Sequence, residues 1–211
     1  MPRHNTFRAA LAAGRPQMGL WLCLADPTGA EICAGAGFDW LLIDGEHAPN
    51  CLETVAAQLR AIDAHPPTHA VARVSIGCGE AMTAQVKQYL DLGAQSILVP
   101  MVDTAEDARA VVAACRYAPA GRRGVGYGRA SDWGRDTDYV RSADEQIGVL
   151  VQAETTTALD HLDDILDVEG LDGVFIGPAD LSASMGHPGE PGHPEVTAAT
   201  DCETDAGPRA A

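Results

Sequence analysis

Positive charge is scarce in this 211-residue sequence. It has 14 lysines and arginines against 30 aspartates and glutamates, which gives a formal net charge of -16. This balance argues against nucleic acid or an anionic membrane surface as a partner. An anionic substrate stays open, because a metal ion or a few arginines can reverse the sign of the potential locally.

Several other features are absent. No apolar run approaches the roughly 20 residues of a membrane helix, and the N-terminal residues do not resemble a secretory signal. The six cysteines form no C-x-x-C pair, which argues against a zinc cluster and predicts reduced thiols in a cytoplasmic protein. No G-x-G-x-x-G follows the first predicted strand, so a dinucleotide fold has little support.

Strands and helices alternate along the sequence. Six apolar runs are predicted to be strands, at Met18–Leu24, Asp39–Ile43, His69–Val74, Gln95–Met101, Gly148–Gln152 and Gly173–Ile176. Helix-like segments separate them, which favours βαβ units and an α/β fold with a parallel sheet. Polar residues at the strand ends favour a TIM (β/α) barrel, with a doubly wound open sheet as the alternative.

A closed TIM barrel has eight βα units, and the sequence supplies about six. We therefore predict an incomplete barrel domain over residues 1–196. Residues 197–211 contain no large apolar residue and no periodicity. They are predicted to be a disordered tail.

Polar side chains follow four of the predicted strands. They are His47, Arg73, Glu154 and Asp180, and Gln152 lies two residues before Glu154 on the same strand face. In a parallel barrel these groups converge on one rim. Two carboxylates without a cysteine or histidine ligand cluster favour Mg²⁺ or Mn²⁺ over structural zinc.

Each of these residues also has a simpler interpretation. Asp180 is equally suited to cap a helix before Leu181, and Glu154 to interact with a helix dipole. His47 follows Asp44 by three residues, a spacing typical either of a general base oriented by a carboxylate or of a turn histidine. Arg73 is harder to explain structurally, because a permanent charge at the end of an apolar strand needs a partner.

A Gly/Arg-rich loop lies between the fourth and fifth predicted strands. It lacks the lysine and hydroxyl residue of a P-loop, and we interpret it as a rim loop whose Arg122 or Arg123 meets a distal substrate anion. The other histidines have no partner spacing and are predicted to be bystanders: His4, His65, His69, His161, His187 and His193. The single lysine, Lys87, is predicted on a helix surface, which disfavours a Schiff-base mechanism.

Longer motifs connect the chain to a known family. They are GLWL at 19–22, AGAGFDWLLIDGEHAPN at 34–50, ILVPMV at 97–102, RGVG at 123–126, VLVQAET at 149–155 and LDGVFIGPADLSASMG at 171–186. Together they resemble class II pyruvate aldolases of the HpcH/HpaI aldolase family, in particular its 4-hydroxy-2-oxoheptanedioate aldolases. The resemblance extends over about residues 6–196.

The resemblance implies a TIM barrel with a divalent metal (Mg²⁺, Mn²⁺ or Co²⁺) held by Glu154 and Asp180. It implies that His47, paired with Asp44, is the base and that Arg73 stabilises a pyruvate enolate. Gln152 and the backbone at Ala179 and Asp180 are then expected to hold the pyruvyl end.

The family pattern also implies a homohexamer with C-terminal helices exchanged between subunits. No segment here matches that helix or the last two βα units of the barrel. The expected activity is retro-aldol cleavage of a 4-hydroxy-2-oxo acid, such as 4-hydroxy-2-oxoheptanedioate, to pyruvate and an aldehyde such as succinate semialdehyde. The alternatives are a catalytically inactive fragment or pseudoenzyme of the same family and, with less support, a citrate-lyase-type enzyme that acts on CoA esters.

Overall fold

The computed structural model describes residues 4–204, with side chains described through residue 201. The strands are β1 (Gly19–Leu22), β2 (Trp40–Asp44), β3 (His69–Arg73), β4 (Ser96–Val99), β5 (Gly148–Ala153) and β6 (Gly173–Ile176). The helices are α1 (Thr6–Ala12), α2 (Pro27–Ala34), α3 (Leu52–Asp63), α4 (Gly79–Asp91), α5 (Ala105–Cys115), α6 (Tyr139–Ser142), α7 (Thr156–Asp160), α8 (Leu162–Leu166), α9 (Pro178–Ser184) and α10 (Pro194–Thr204). The predicted α/β alternation is confirmed.

The six strands form one parallel sheet in chain order, from β1 to β6. Successive side chains on a strand point to opposite faces, so each strand packs on two sides. In β2, Leu41 and Ile43 join the large core between the sheet and its helices, whereas Leu42 joins a smaller inner cluster. The near-continuous apolar runs in the sequence reflect this burial of both faces.

The inner cluster shows that the sheet is curled. Its members come from four central strands, from both edge strands and from α1. Although β1 and β6 are not paired, the ring of Trp21 on β1 meets that of Phe175 on β6 edge-on, with ring centroids 5.6 Å apart. The sheet is therefore a curved half-barrel whose concave side is lined by side chains.

Helix α1 closes the end of this half-barrel at which the strands begin. Its N-cap, Asn5, donates side-chain hydrogen bonds to the carbonyl oxygens of Gln95 and Gln146, which precede β4 and β5. Phe7 stacks on His69, the first residue of β3, at 5.8 Å. The opposite end of the half-barrel, where the strands finish, carries the polar residues.

Two predictions about secondary structure need correction. The single helix expected after β5 is divided into α7 and α8 at His161, whose φ and ψ of -109° and 11° are not helical. The ring nitrogen Nδ1 of His161 lies 3.0 Å from the carbonyl oxygen of Asp103, which anchors the chain at that break.

The second correction concerns the predicted disordered tail. Residues 197–204 belong to α10, which begins at Pro194 and is held to the protein by the fully buried side chain of Val196. Proline suits a first helical position because its φ is already helical and its missing N–H is not needed there. The predicted boundary at residue 196 thus falls inside a helix, and residues 205–211 lie outside the described part of the chain. No helix within residues 4–204 combines the length and apolar character needed to cross a membrane.

Candidate active site

A polar layer lies above the apolar inner cluster at the strand ends. Leu42 and Val71 belong to that cluster and are partners in the sheet register. Two residues further along each strand, Asp44 and Arg73 are again register partners and point to the same concave face. The same spacing on β5 places Gln152 above Leu150. The apolar period of the strands therefore positions all three polar side chains.

Arg73 is held from several directions and is only 4% exposed. Its Nε and one terminal nitrogen lie 2.9 and 2.8 Å from Asp44 Oδ1, and its other terminal nitrogen lies 2.7 Å from Glu46 Oε2. That terminal nitrogen also donates to Gln152 Oε1 at 3.4 Å, and the guanidinium carbon lies 4.5 Å from the Trp21 ring centroid. These contacts compensate the buried charge and fix the guanidinium in one orientation.

The carboxylate of Asp44 is held by Arg73 and by the backbone that follows β2. Besides binding Arg73, its Oδ1 accepts hydrogen bonds from the backbone N–H groups of Glu46 at 3.0 Å and His47 at 3.4 Å. The expected pairing of Asp44 with the His47 imidazole is not what the structure shows: Asp44 contacts the backbone of His47, because its carboxylate neutralises the buried Arg73. The His47 side chain is exposed at the rim, next in the chain to Glu46.

Glu154 is a buried carboxylate with neutral hydrogen-bond partners. It is 2% exposed, its Oε1 accepts from the Met101 backbone N–H at 2.8 Å, and its Oε2 accepts from Gln152 Nε2. The Met101 backbone is left-handed, with φ of 53°, an unusual conformation for a residue with a side chain. Burial raises the pKa of Glu154, and the nearby charges of Asp180 and Glu46 raise it further.

The turn after β6 packs closely against this carboxylate. A Cβ at Gly177 would lie 2.5 Å from Glu154 Oε2 and 2.8 Å from Gln152 Nε2, so a larger residue would force these two side chains to move. Gly177 is also the N-cap of α9, which makes no side-chain capping hydrogen bond. Asp180 is therefore not the cap of this helix, and its exposed carboxylate stays near Glu154 and Glu46.

Glu46 and Trp21 were not among the predicted site residues. Glu46 binds Arg73, and burial raises the pKa of its carboxyl. Its position in the DGEH motif, directly after β2, was the available signal. Trp21 could be inferred only from its place on β1, since an indole on an apolar strand is ordinarily a core residue.

Arg123 does not reach this site. Its terminal nitrogen lies 2.8 Å from Asp91 at the end of α4, and its backbone N–H donates to the carbonyl of Arg116, which follows α5. In a βα unit the helix runs antiparallel to its strand, so these helix ends lie where the strands begin. The structure therefore does not bring Arg123 to the candidate site, because its side chain is buried in an ion pair with Asp91.

The buried carboxylate of Glu154, with the charges of Asp180 and Glu46 nearby, is chemically suited to a divalent cation. The described hydrogen bonds to Glu154 come from amide N–H groups, which carry no full positive charge. Burial therefore leaves Glu154 short of a counter-charge, which is why its pKa rises. A hard cation such as Mg²⁺ or Mn²⁺ prefers carboxylate oxygens and would supply that charge.

Comparison with known proteins identifies the family of the chain. The family model described as HpcH/HpaI aldolase/citrate lyase matches residues 17–210. The chain belongs to the HpcH/HpaI aldolase/citrate lyase family.

Three relatives illustrate the similarity. The chain is 62% identical to 4-hydroxy-2-oxovalerate aldolase of Rhodococcus jostii, over 91% of this chain and 73% of that protein. It is 58% identical to 4-hydroxy-2-oxo-heptane-1,7-dioate aldolase of Escherichia coli, over 93% of this chain and 74% of that protein. A solved HpcH/HpaI aldolase/citrate lyase family protein of Burkholderia cenocepacia superposes with a TM-score of 0.91 at 40% identity, over 98% of this chain and 81% of that one.

Proposed function

We propose that the protein is a divalent-metal-dependent aldolase that cleaves 4-hydroxy-2-oxo acids to pyruvate and an aldehyde. The observation that carries this proposal is the connection, through Gln152, of a fixed guanidinium on Arg73 to a buried carboxylate on Glu154. A permanent positive charge and a cation-binding carboxylate side by side suit a 2-oxo acid, which carries a carboxylate and a keto oxygen. The names of the relatives favour an aldolase over an inactive member of the family.

Glu154 and Asp180 would hold the cation, with Glu46 as a further oxygen nearby. Bound there, a divalent cation supplies a Lewis acid for the keto oxygen of the substrate. The identity of the ion among Mg²⁺, Mn²⁺ and Co²⁺ belongs to this proposal.

The protein's own groups orient the pyruvyl part of the substrate. Arg73 presents positive charge where the enolate oxygen develops, and its two carboxylate partners prevent it from reorienting during the reaction. At the start of α9, the first intrahelical hydrogen bond runs from Leu181 to Gly177. The N–H groups of Ala179 and Asp180 precede it and are therefore suited to bind the substrate carboxylate.

His47 takes the proton from the C4 hydroxyl, directly or through water. The C3–C4 bond then breaks, C4 becomes the aldehyde carbon, and the electron pair remains on C3 as the pyruvate enolate. Protonation of C3 completes the reaction. An exposed imidazole at the rim suits this role, because the aldehyde end of the substrate extends away from the buried guanidinium.

The test is pyruvate release by the purified chain from 4-hydroxy-2-oxoheptanedioate and from 4-hydroxy-2-oxovalerate. We expect release with Mg²⁺ or Mn²⁺ and its loss with a chelator. Glu154→Gln should abolish release, whereas Glu169→Gln, at an exposed glutamate before β6, should not change it. Folded protein that releases no pyruvate with any of these ions would contradict the proposal.

The curled sheet is further proposed to be the wall of a TIM-like barrel. The contact of Trp21 with Phe175 supports this proposal, because it brings both edge strands onto one concave side. The relatives act as aldolases on small molecules, and the homohexamer and cytoplasmic location stay predictions.

A further inference from the structure

Two histidines that the sequence left without partners come together between α9 and α10. The imidazoles of His187 and His193 stack with centroids 3.6 Å apart and planes inclined by 15°. His187 Nε2 lies 2.9 Å from Glu195 Oε2. The candidate ligand atoms of these three residues all lie within 4.8 Å of one another.

The backbone forms this cluster without help from a ligand. The N–H of Glu190 donates to the carbonyl of His187 at 3.0 Å, and the N–H of His193 donates to that of Glu190 at 2.9 Å. Two successive i to i+3 turns therefore bring residues 187 and 193 side by side, as the Pro- and Gly-rich sequence HPGEPGHPE favours.

Both ends of this loop are anchored. The His187 N–H donates to the carbonyl of Ser182 on α9 at 2.7 Å, and the Thr197 N–H donates to the carbonyl of His193 at 2.9 Å. Val196, the next residue after Glu195, is fully buried. The histidine–glutamate cluster is thus attached to packed helices on either side.

The chemistry of the cluster differs from that of the candidate active site. Imidazole nitrogens suit borderline cations such as Zn²⁺, whereas Mg²⁺ prefers oxygen ligands. Three protein ligands and one water complete a tetrahedral zinc site, in which ligand atoms lie about 3.3 Å apart at bonds near 2.0 Å. The three candidate ligand atoms lie within 4.8 Å of one another, so rotation of the stacked imidazoles about their side-chain bonds would bring them to this spacing.

We propose that His187, His193 and Glu195 form a second cation site that takes Zn²⁺ or a similar imidazole-preferring divalent ion. The site links the end of α9 to the start of α10. It does not depend on the function proposed for the strand ends, since it shares no residue with that site.

Zinc titration of the full chain against a chromophoric indicator tests this site. The exposed thiols of Cys23, Cys51 and Cys78 are first blocked with N-ethylmaleimide, and excess Mg²⁺ occupies oxygen ligands. We expect one equivalent of Zn²⁺ per chain, and its loss in the double variant His187→Ala/His193→Ala. The single variant Glu195→Gln, at an exposed position, should weaken binding by at least about tenfold.

Two controls separate the outcomes. His65 also lies beside a glutamate, with its Nε2 3.8 Å from Glu31 Oε1, but this pair belongs to no cluster of three candidate ligands within the described residues. The variant His65→Ala should therefore leave zinc binding unchanged. Glu154→Gln should leave it unchanged as well. Zinc binding that survives in the double histidine variant, or that disappears with Glu154→Gln, would overturn the proposal. Circular dichroism checks that each variant is folded, and a misfolded double variant leaves Glu195→Gln as the deciding measurement.

Discussion

Arg73 and Arg123 form a natural pair for comparison. Each guanidinium lies 4.5 Å from an aromatic ring centroid, of Trp21 and Tyr117 respectively, and each has a carboxylate at 2.8 Å. Both were predicted to be site residues.

Their surroundings differ in one decisive respect. Arg73 ends β3, where Gln152 connects it to the carboxylate of Glu154, and it has two acidic partners. Arg123 lies where the strands begin and has one acidic partner, and its Nε and second terminal nitrogen have no hydrogen bond within the described residues. A buried arginine is therefore a site candidate because of its place at the strand ends and not because of its burial.

The largest expected effect is on catalysis. Arg73→Lys keeps a positive charge but loses the planar guanidinium with its several N–H donors, and Arg73→Ala removes both. We expect kcat to fall by about 10²–10³ in the alanine variant. Affinity for Mn²⁺, measured by calorimetry, should change far less. A parallel loss of metal affinity would show that Arg73 shapes the cation site instead of the reaction.

Arg123→Ala should show the opposite pattern. It leaves Asp91 without its partner, and we expect a loss of about 1–3 kcal/mol of unfolding free energy, since Asp91 is partly exposed to water. Urea denaturation measures this loss. Turnover per folded molecule should match the wild type, and a large drop in kcat would restore Arg123 as a functional residue.

A change at Gly177 tests the proposed cation site at Glu154, which lies near Arg73 but not near Arg123. Gly177→Ala forces Glu154 and Gln152 to move, because a Cβ at 2.5 and 2.8 Å cannot be accommodated. We expect metal affinity to fall by about tenfold or more. Gly35→Ala is a matched control, since its added Cβ would make only ordinary contacts, at 3.7 Å or more; equal behaviour of the two variants would count against the close packing at Gly177.

The smallest effect concerns pH. The pKa of Glu154 is raised by burial, so the metal-free folded state binds this proton more tightly than the unfolded state. Stability of the metal-free protein should therefore decline as the pH rises above the ordinary glutamate range and through the raised pKa. Glu154→Gln should flatten this decline in urea unfolding with chelator present. An unchanged pH dependence would assign the effect to other groups, such as Glu46.

The strands and the polar residues at their ends could be predicted from the sequence, because buried strands appear in it as apolar runs and the polar residues directly follow those runs. Asp44, Arg73 and Gln152 follow the inner apolar residues by two, so their convergence was predictable. The partners of Asp44 were not, since sequence spacing cannot show that the guanidinium of Arg73, at the end of the adjacent strand, takes the place of the neighbouring imidazole. The stacking of His187 on His193 depends on two successive turns, which the Pro- and Gly-rich sequence favours, but the sequence does not show that these turns place the two rings against each other.

The order of the strands in the sheet keeps most strand pairings local in sequence. Each strand pairs with the one before it, so nearly every sheet contact closes a loop of a single βα unit. The Trp21–Phe175 contact is different, because it joins the first strand to the last. We expect it to form late in folding, so the fluorescence of Trp21 should report the curling of a sheet whose helices have already docked.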